Sequence, residues 1–190
     1  MLRLLTTTAI GVGLLVASSS FAQTSHLNLA AGPAATTVPR DTLDQQDTSF
    51  VKDAAAGGMA EVALSKIAEK SENPEVKRFA EKMVRDHTTT NTELAAIAAE
   101  SSAEMPKTLD ADHQKIHDQL RSMHGKVFDQ QYMQVMVEDH DQAVKLFRQE
   151  DSSGHAPQLK QFAHNILPTI EEHQKMALDL SRRLSETAAR

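Results

Sequence analysis

NPEVKRFAEKMVRDHTTTNTELAAIAA, residues 73–99, reads as a helix by its punctuation and its period. Asn73 is a capping residue and Pro74 takes the first helical position, where a missing N–H costs nothing. Val76, Phe79 with Ala80, Met83, Leu94 and Ala98 recur at three- and four-residue intervals, the spacing of a helix face buried against other helices. His87 falls on that stripe, where a hydrophobe is expected.

The same pattern recurs along the chain. A helix is predicted from Asp47, Thr48 or Ser49 as cap to about Ser71, with the stripe Phe50, Ala54, Gly57, Glu61, Leu64 and Ala68. Gly57-Gly58 inside it costs about 1 kcal/mol per glycine against alanine, which either admits a neighbouring helix closely or weakens this one. A short helix is predicted over Leu109–His124, lying across one end of the molecule or extending the next helix. A third long helix starts at Phe128 with the stripe Tyr132, Met136, His140, Val144 and Phe147. A fourth runs from Ala156-Pro157 to about Ser185, through Leu159, Phe162, Ile166, Ile170, His173, Ala177, Leu180 and Leu184. Pro168 is expected to kink it, since proline deletes a backbone bond and crowds the carbonyl of His164.

NPEVKRFAEKMV from Asn73 aligns without a gap on APQLKQFAHNIL from Ala156. Each copy opens the second helix of a hairpin, and each preceding helix starts with a phenylalanine. Two related hairpins packed together make an all-α four-helix bundle, with one extra short helix. The chain divides into a signal peptide (1–22), a flexible leader (23–46) rich in Ala, Thr and Pro, and the bundle domain (47–186).

Composition bounds the function. MLRLLTTTAIGVGLLVASSSFAQ carries a positive Arg3, a short apolar run and a small-x-small site, so cleavage is expected between Ala22 and Gln23. The address is then periplasmic or secreted, with no membrane-spanning segment after cleavage. Losing Arg3 leaves 19 basic against 26 acidic residues, a formal −7, which argues against nucleic acid as a partner. The absence of cysteine excludes disulfides, thiol nucleophiles, c-type haem and Fe–S clusters. There is no phosphate loop, nucleotide fingerprint or hydrolytic triad.

Glu61, His87, His140 and His173 each take a stripe position near the middle of a different long helix. Counted from the hairpin turns, Glu61 and His87 differ in height by only about 6 Å, and His140 and His173 are offset similarly. One layer of the interior can therefore hold all four. Three imidazoles and a carboxylate suit a single Zn, Fe, Mn or Cu ion. Asp86, Asp139 and Glu172 each precede one histidine and point about 100° away from it, so each is placed to brace the histidine of a neighbouring helix. The competing reading is a hydrogen-bonded polar layer without metal. Met83 and Met136, four residues before His87 and His140, are read as core filler. His113 and His117 are read as solvated.

Phe50, Ala54, Gly58 and Glu61-Val62; Val76-Lys77, Phe79-Ala80, Met83-Val84 and Asp86-His87; Phe128-Asp129, Tyr132 and His140; Leu159-Lys160, Phe162-Ala163, Leu167-Pro168 and His173 together form a familiar pattern. It resembles the bacterial family called domain of unknown function 4142, exported proteins grouped with ferritin-like bundles. The resemblance covers about Thr48 to Leu180. It implies a ferritin-like fold and an export address, and it brings no activity. The Glu-x-x-His motif of two-iron bundles is missing here; the nearest approach is Asp110-x-x-His113. The functional expectation is a non-enzymatic binding protein for one transition metal, in envelope stress or metal handling. The alternatives are a structural or interaction module with an envelope partner or a second copy of itself, and a metal-dependent redox protein.

Overall fold

The computed structural model describes residues 42–101 and 103–188. They form five helices and no strand: α1 (Gln45–Ala68), α2 (Pro74–Ser101), α3 (Ala111–Ser122), α4 (Gly125–Ser153) and α5 (Pro157–Ala188). The expected signal peptide and nearly all of the expected leader lie outside the described residues. No helix among the described residues is long and apolar enough to cross a membrane.

Helix ends follow from side-chain chemistry. α1 begins before Asp47 because Asp44, not Asp47, caps it: Asp44 Oδ1 accepts the Asp47 N–H at 2.8 Å. Asp47 is left to reach across the molecule, where its carboxylate accepts the N–H groups of His155 and Ala156 at 2.9 and 2.8 Å. That clamps the first turn of α1 to the loop before α5. Asn73 Oδ1 accepts the Glu75 N–H at 2.9 Å, beside Pro74 at the start of α2. α5 continues past Pro168 as one helix.

α1 pairs with α2 and α4 with α5, while α1 also meets α4 and α2 meets α5. The four stripes close on two apolar clusters. One gathers Leu64, Val76, Phe79, Met83, Tyr132, Met136 and Leu180. The other gathers Phe50, Leu94, Val144, Phe147, Phe162 and Ile170. Phe50 stands edge-on to Phe147 and Phe162, with ring centroids 5.1 and 6.3 Å away. Because α1 enters the first cluster with its last turns and α4 with its first, these two helices are antiparallel. By the same logic α2 and α5 are antiparallel.

This arrangement corrects the expected place of the short helix. α2 ends beside the Phe50 cluster, whereas α4 starts beside the Tyr132 cluster. The connection must travel the length of the bundle. It does so with Ala103 and Met105 packed on the Phe50 cluster and Ile116, Leu120 and Met123 on the Tyr132 cluster, and α3, its helical part, lies against α1 and α4. Asp110 caps it, accepting the His113 N–H at 2.9 Å. One long crossover of this kind is the ferritin-like connection.

The two glycines of α1 do different things. A Cβ on Gly58 would overlap the Asn91 carboxamide of α2, so glycine permits close approach there. A Cβ on Gly57 would touch nothing within 4 Å.

At the clamped end, Glu150 is only 1% exposed, and its carboxylate has no hydrogen-bond partner among the described residues. Burial first, then the charge of Asp47, push its carboxyl up to about 7. A carboxyl raised in the folded state favours folding while it stays protonated. Its contribution is complete below about pH 4.5 and disappears as the pH climbs through 7. Glu150→Gln keeps the shape and removes the ionisation. Its melting temperature is expected to match wild type near pH 4.5 and to exceed it increasingly up to pH 8; thermal melts across that range check this.

Candidate metal centre

Glu61, His87, His140 and His173 all lie in the gap between the two apolar clusters, one from each long helix. Along α1 the buried series runs Ala55, Gly58, Ala60, Glu61, Leu64, and along α4 it runs Met136, His140, Val144. All four side chains are buried, with 3, 6, 0 and 1% exposure. A polar layer therefore crosses an otherwise hydrophobic interior. The imidazoles pack against one another with centroids 5.3 to 5.6 Å apart.

Hydrogen bonding settles which ring nitrogens are free. His87 Nδ1 lies 2.8 Å from Glu61 Oε2. His140 Nδ1 lies 2.8 Å from the Met136 carbonyl oxygen, which can only accept, so Nδ1 carries the proton. His173 Nε2 lies 2.9 Å from Asp86 Oδ2. The nitrogens left over are His87 Nε2, His140 Nε2 and His173 Nδ1. All three are buried and have no hydrogen-bond partner among the described residues. One ring nitrogen from each of the three histidines lies within 4.8 Å of the other two.

The electrostatics set His87 and His173 apart. Burial pushes the Glu61 carboxyl up, but the charges of His87 and His140 and the hydrogen bond from His87 outweigh it and bring it to about 2. Burial pulls the His87 imidazole down, and the Glu61 charge and hydrogen bond more than restore it, so it ends above the usual histidine range. His173 moves the other way: burial and the neighbouring His87 take it down to about 4, with Asp86 opposing. His173 is thus neutral at physiological pH, with a lone pair on its free nitrogen.

The sequence reading counted Glu61 among the ligands. Its carboxylate instead lies against Nδ1 of His87, with Oε1 3.4 Å from Nδ1 of His140, and it is not one of the clustered donors. Asp86 meets His173 from the neighbouring helix and not His87, its own neighbour in sequence. Asp139 touches none of the three rings within hydrogen-bonding distance; burial and the charge of Glu61 push its carboxyl up to about 7. Glu172 turns outward, its nearest cation being Lys82 Nζ at 4.0 Å. Met83 and Met136 are fully buried in the apolar cluster.

Two participants escaped the sequence reading. Lys82 Nζ lies 2.8 Å from Asp86 and fixes the carboxylate that holds His173; the four-residue spacing of the pair was its signal. His113 is half-buried. With Glu61, His87 and Asp139 it lines a cavity of 380 Å³ beneath the start of α3. Only the path of α3 shows this.

A family model described as Domain of unknown function (DUF4142) matches residues 32–180. No curated protein sequence matches the chain. Two solved structures resemble the fold. A DUF305 fragment from Deinococcus radiodurans superposes with a TM-score of 0.64 at 14% identity, covering 75% of this chain and 99% of that one. CopM in the Cu(II)-bound form superposes with a TM-score of 0.58 at 18% identity, covering 72% and 96%. Both likenesses are of fold.

Proposed function

Since the chain belongs to the DUF4142 family, which carries no assigned activity, we propose from its own geometry that it binds one divalent transition-metal ion, Cu²⁺ or Zn²⁺. The ligands are His87 Nε2, His140 Nε2 and His173 Nδ1. The observation that carries this reading is that each of the three histidines has a buried ring nitrogen without a hydrogen-bond partner among the described residues, and that one ring nitrogen of each lies within 4.8 Å of the others; His87 gives up a proton when the ion binds. Leaving a buried polar atom unpaired costs about 1–3 kcal/mol, and a polar layer evolved only for packing has no use for three of them. A single ion at about 2.0–2.1 Å from each nitrogen satisfies all three. An all-imidazole set suits copper and zinc better than manganese, which prefers oxygen. Glu61 and Asp86 hold the opposite nitrogens of His87 and His173, the carboxylate–histidine arrangement that fixes tautomer and ring orientation at metal sites. CopM, a bundle of similar fold, was solved with Cu(II), which supports the reading without assigning it. With the signal peptide expected at residues 1–22, the site would act in the cell envelope in metal handling, with no catalytic step required of it.

The test uses the chain from Gln23 to Arg190, exported and purified without a histidine tag. Titration with Cu²⁺ is expected to saturate one tight site, with nitrogen hyperfine structure from three imidazoles in the electron paramagnetic resonance spectrum. A chain that takes up no Cu²⁺ or Zn²⁺ and melts at the same temperature with and without them overturns the proposal, and the layer is then a polar network. Asp86→Asn is expected to weaken Cu²⁺ binding by about 10-fold, within the range for loss of an outer hydrogen-bond partner, as read by competition with a chelator.

A further inference from the structure

The three free nitrogens lie on side chains no more than 6% exposed, so an ion needs a passage to them. We infer that the 380 Å³ cavity beneath the start of α3 is that passage, selective for hydrated divalent cations, with Asp139 as the carboxylate met on the way. The inference rests on the metal reading above.

Four observations support it. The cavity touches Glu61 and His87 in the polar layer and also the exposed Asp53 on the surface of α1, so it joins the layer to the outside. Asp53, Asp110, Asp139 and Glu61 all line it, and none of its described lining residues is Lys or Arg. His87, held cationic by Glu61, also lines it, but the carboxylates outnumber it, and a cleft with an excess of one sign of charge between low-dielectric walls concentrates the opposite ion. Glu61 Oε1 and Asp139 Oδ2 are buried without hydrogen-bond partners among the described residues. They are hard oxygen ligands able to replace waters of a cation as it sheds its shell. Gly57 lines the cavity and a Cβ there would meet nothing within 4 Å, so a side chain added at this position has open space to occupy. The other charged approach, past Asp86 on His173, is held by the Lys82 ammonium, which repels a cation.

Two substitutions separate the passage from the ligands. Gly57→Val adds bulk to the cavity lining and changes none of the three histidines. Valine is also the better helix former, so the helix is not weakened. Asp139→Asn removes the charge and keeps the shape. Loading is read in a stopped-flow instrument by mixing metal-free chain with Cu²⁺ and following quenching of its one tyrosine. Tyr132 lies eight residues before His140 on α4, about 12 Å along the helix, within quenching range. The Gly57→Val chain is expected to bind one Cu²⁺ at equilibrium, as wild type does, but to load about 10-fold more slowly or worse. Asp139→Asn is expected to load more slowly too, with a weaker dependence of the rate on salt. If both variants bind one ion and load at the wild-type rate, the passage lies elsewhere and the inference fails while the metal site stands. If wild type binds no ion, the metal reading itself fails and takes the passage with it.

Discussion

His140→Ala is expected to reduce the metal content of the chain from about one Cu²⁺ to none after desalting. His140 is the most deeply placed of the three histidines, 0% exposed, with Nδ1 committed to the Met136 carbonyl and only Nε2 left to act as a ligand. Alanine removes that donor and leaves two imidazoles. The loss should exceed the roughly 10–100-fold that deleting an outer hydrogen-bond partner costs. Thermal melts give a second reading. Cu²⁺ at 100 times its dissociation constant stabilises a folded binder by about 2.7 kcal/mol, worth about 5–10 °C at this chain length. Wild type should show that rise and His140→Ala should not. Acid should release the ion from wild type through His87 first. Glu61 holds that imidazole above the ordinary range, whereas His173 stays neutral to about pH 4. A variant that keeps one tight Cu²⁺ would show that the ligands are elsewhere.

Phe50→Ala is expected to cost about 3–5 kcal/mol of stability, lowering the melting temperature by about 10 °C or more. Phe50 is 2% exposed and fills the space between Phe147 and Phe162 at the far end of α1 from the first turn of α2. Its removal opens a cavity that three helices have no easy way to close. Val127→Ala is the control. Val127 is 64% exposed, and its loss should stay within about 0.5 kcal/mol. Phe50 precedes Glu61 by eleven residues, about 16 Å along α1. The affinity of the folded chain for Cu²⁺ should therefore be unchanged in Phe50→Ala. A parallel loss of affinity would mean that the two apolar clusters report on the polar layer far more strongly than their separation suggests.

Much of this was legible in the sequence because helices have a fixed rise and a fixed period. The stripes around Val76–Met83 and Leu159–Ile170 place every buried face, and counting from the hairpin turns puts Glu61, His87, His140 and His173 at one level. The match of residues 32–180 to the family model agrees with the resemblance read from the same stripes. What could not be read was direction and rotamer. Local periodicity does not say whether α4 runs with α2 or against α1, so the path of α3 and the cavity it roofs stayed hidden. Nor does it say which carboxylate oxygen finds which ring nitrogen. The position of Glu61 against Nδ1 of His87, the choice of Asp86 for His173 and the outward turn of Glu172 are set by side-chain torsions across helices. The cap of α1 depends on tertiary structure in the same way. Of two good capping residues three positions apart either can open the helix; Asp44 does so, and Asp47 is engaged by the His155–Ala156 backbone.

The interruption of the apolar stripe on all four long helices has a consequence for how the molecule comes apart. Its interior is two oily compartments, each drawing a few turns from every long helix, with imidazoles and a carboxylate between them. Such a seam is where cooperativity is weakest. In the metal-free chain, amide hydrogens of the Phe50 compartment and of the Tyr132 compartment should exchange as two separate units, at two opening free energies. An ion held by α2, α4 and α5 together would act as a rivet through the seam, and the two units would then open as one.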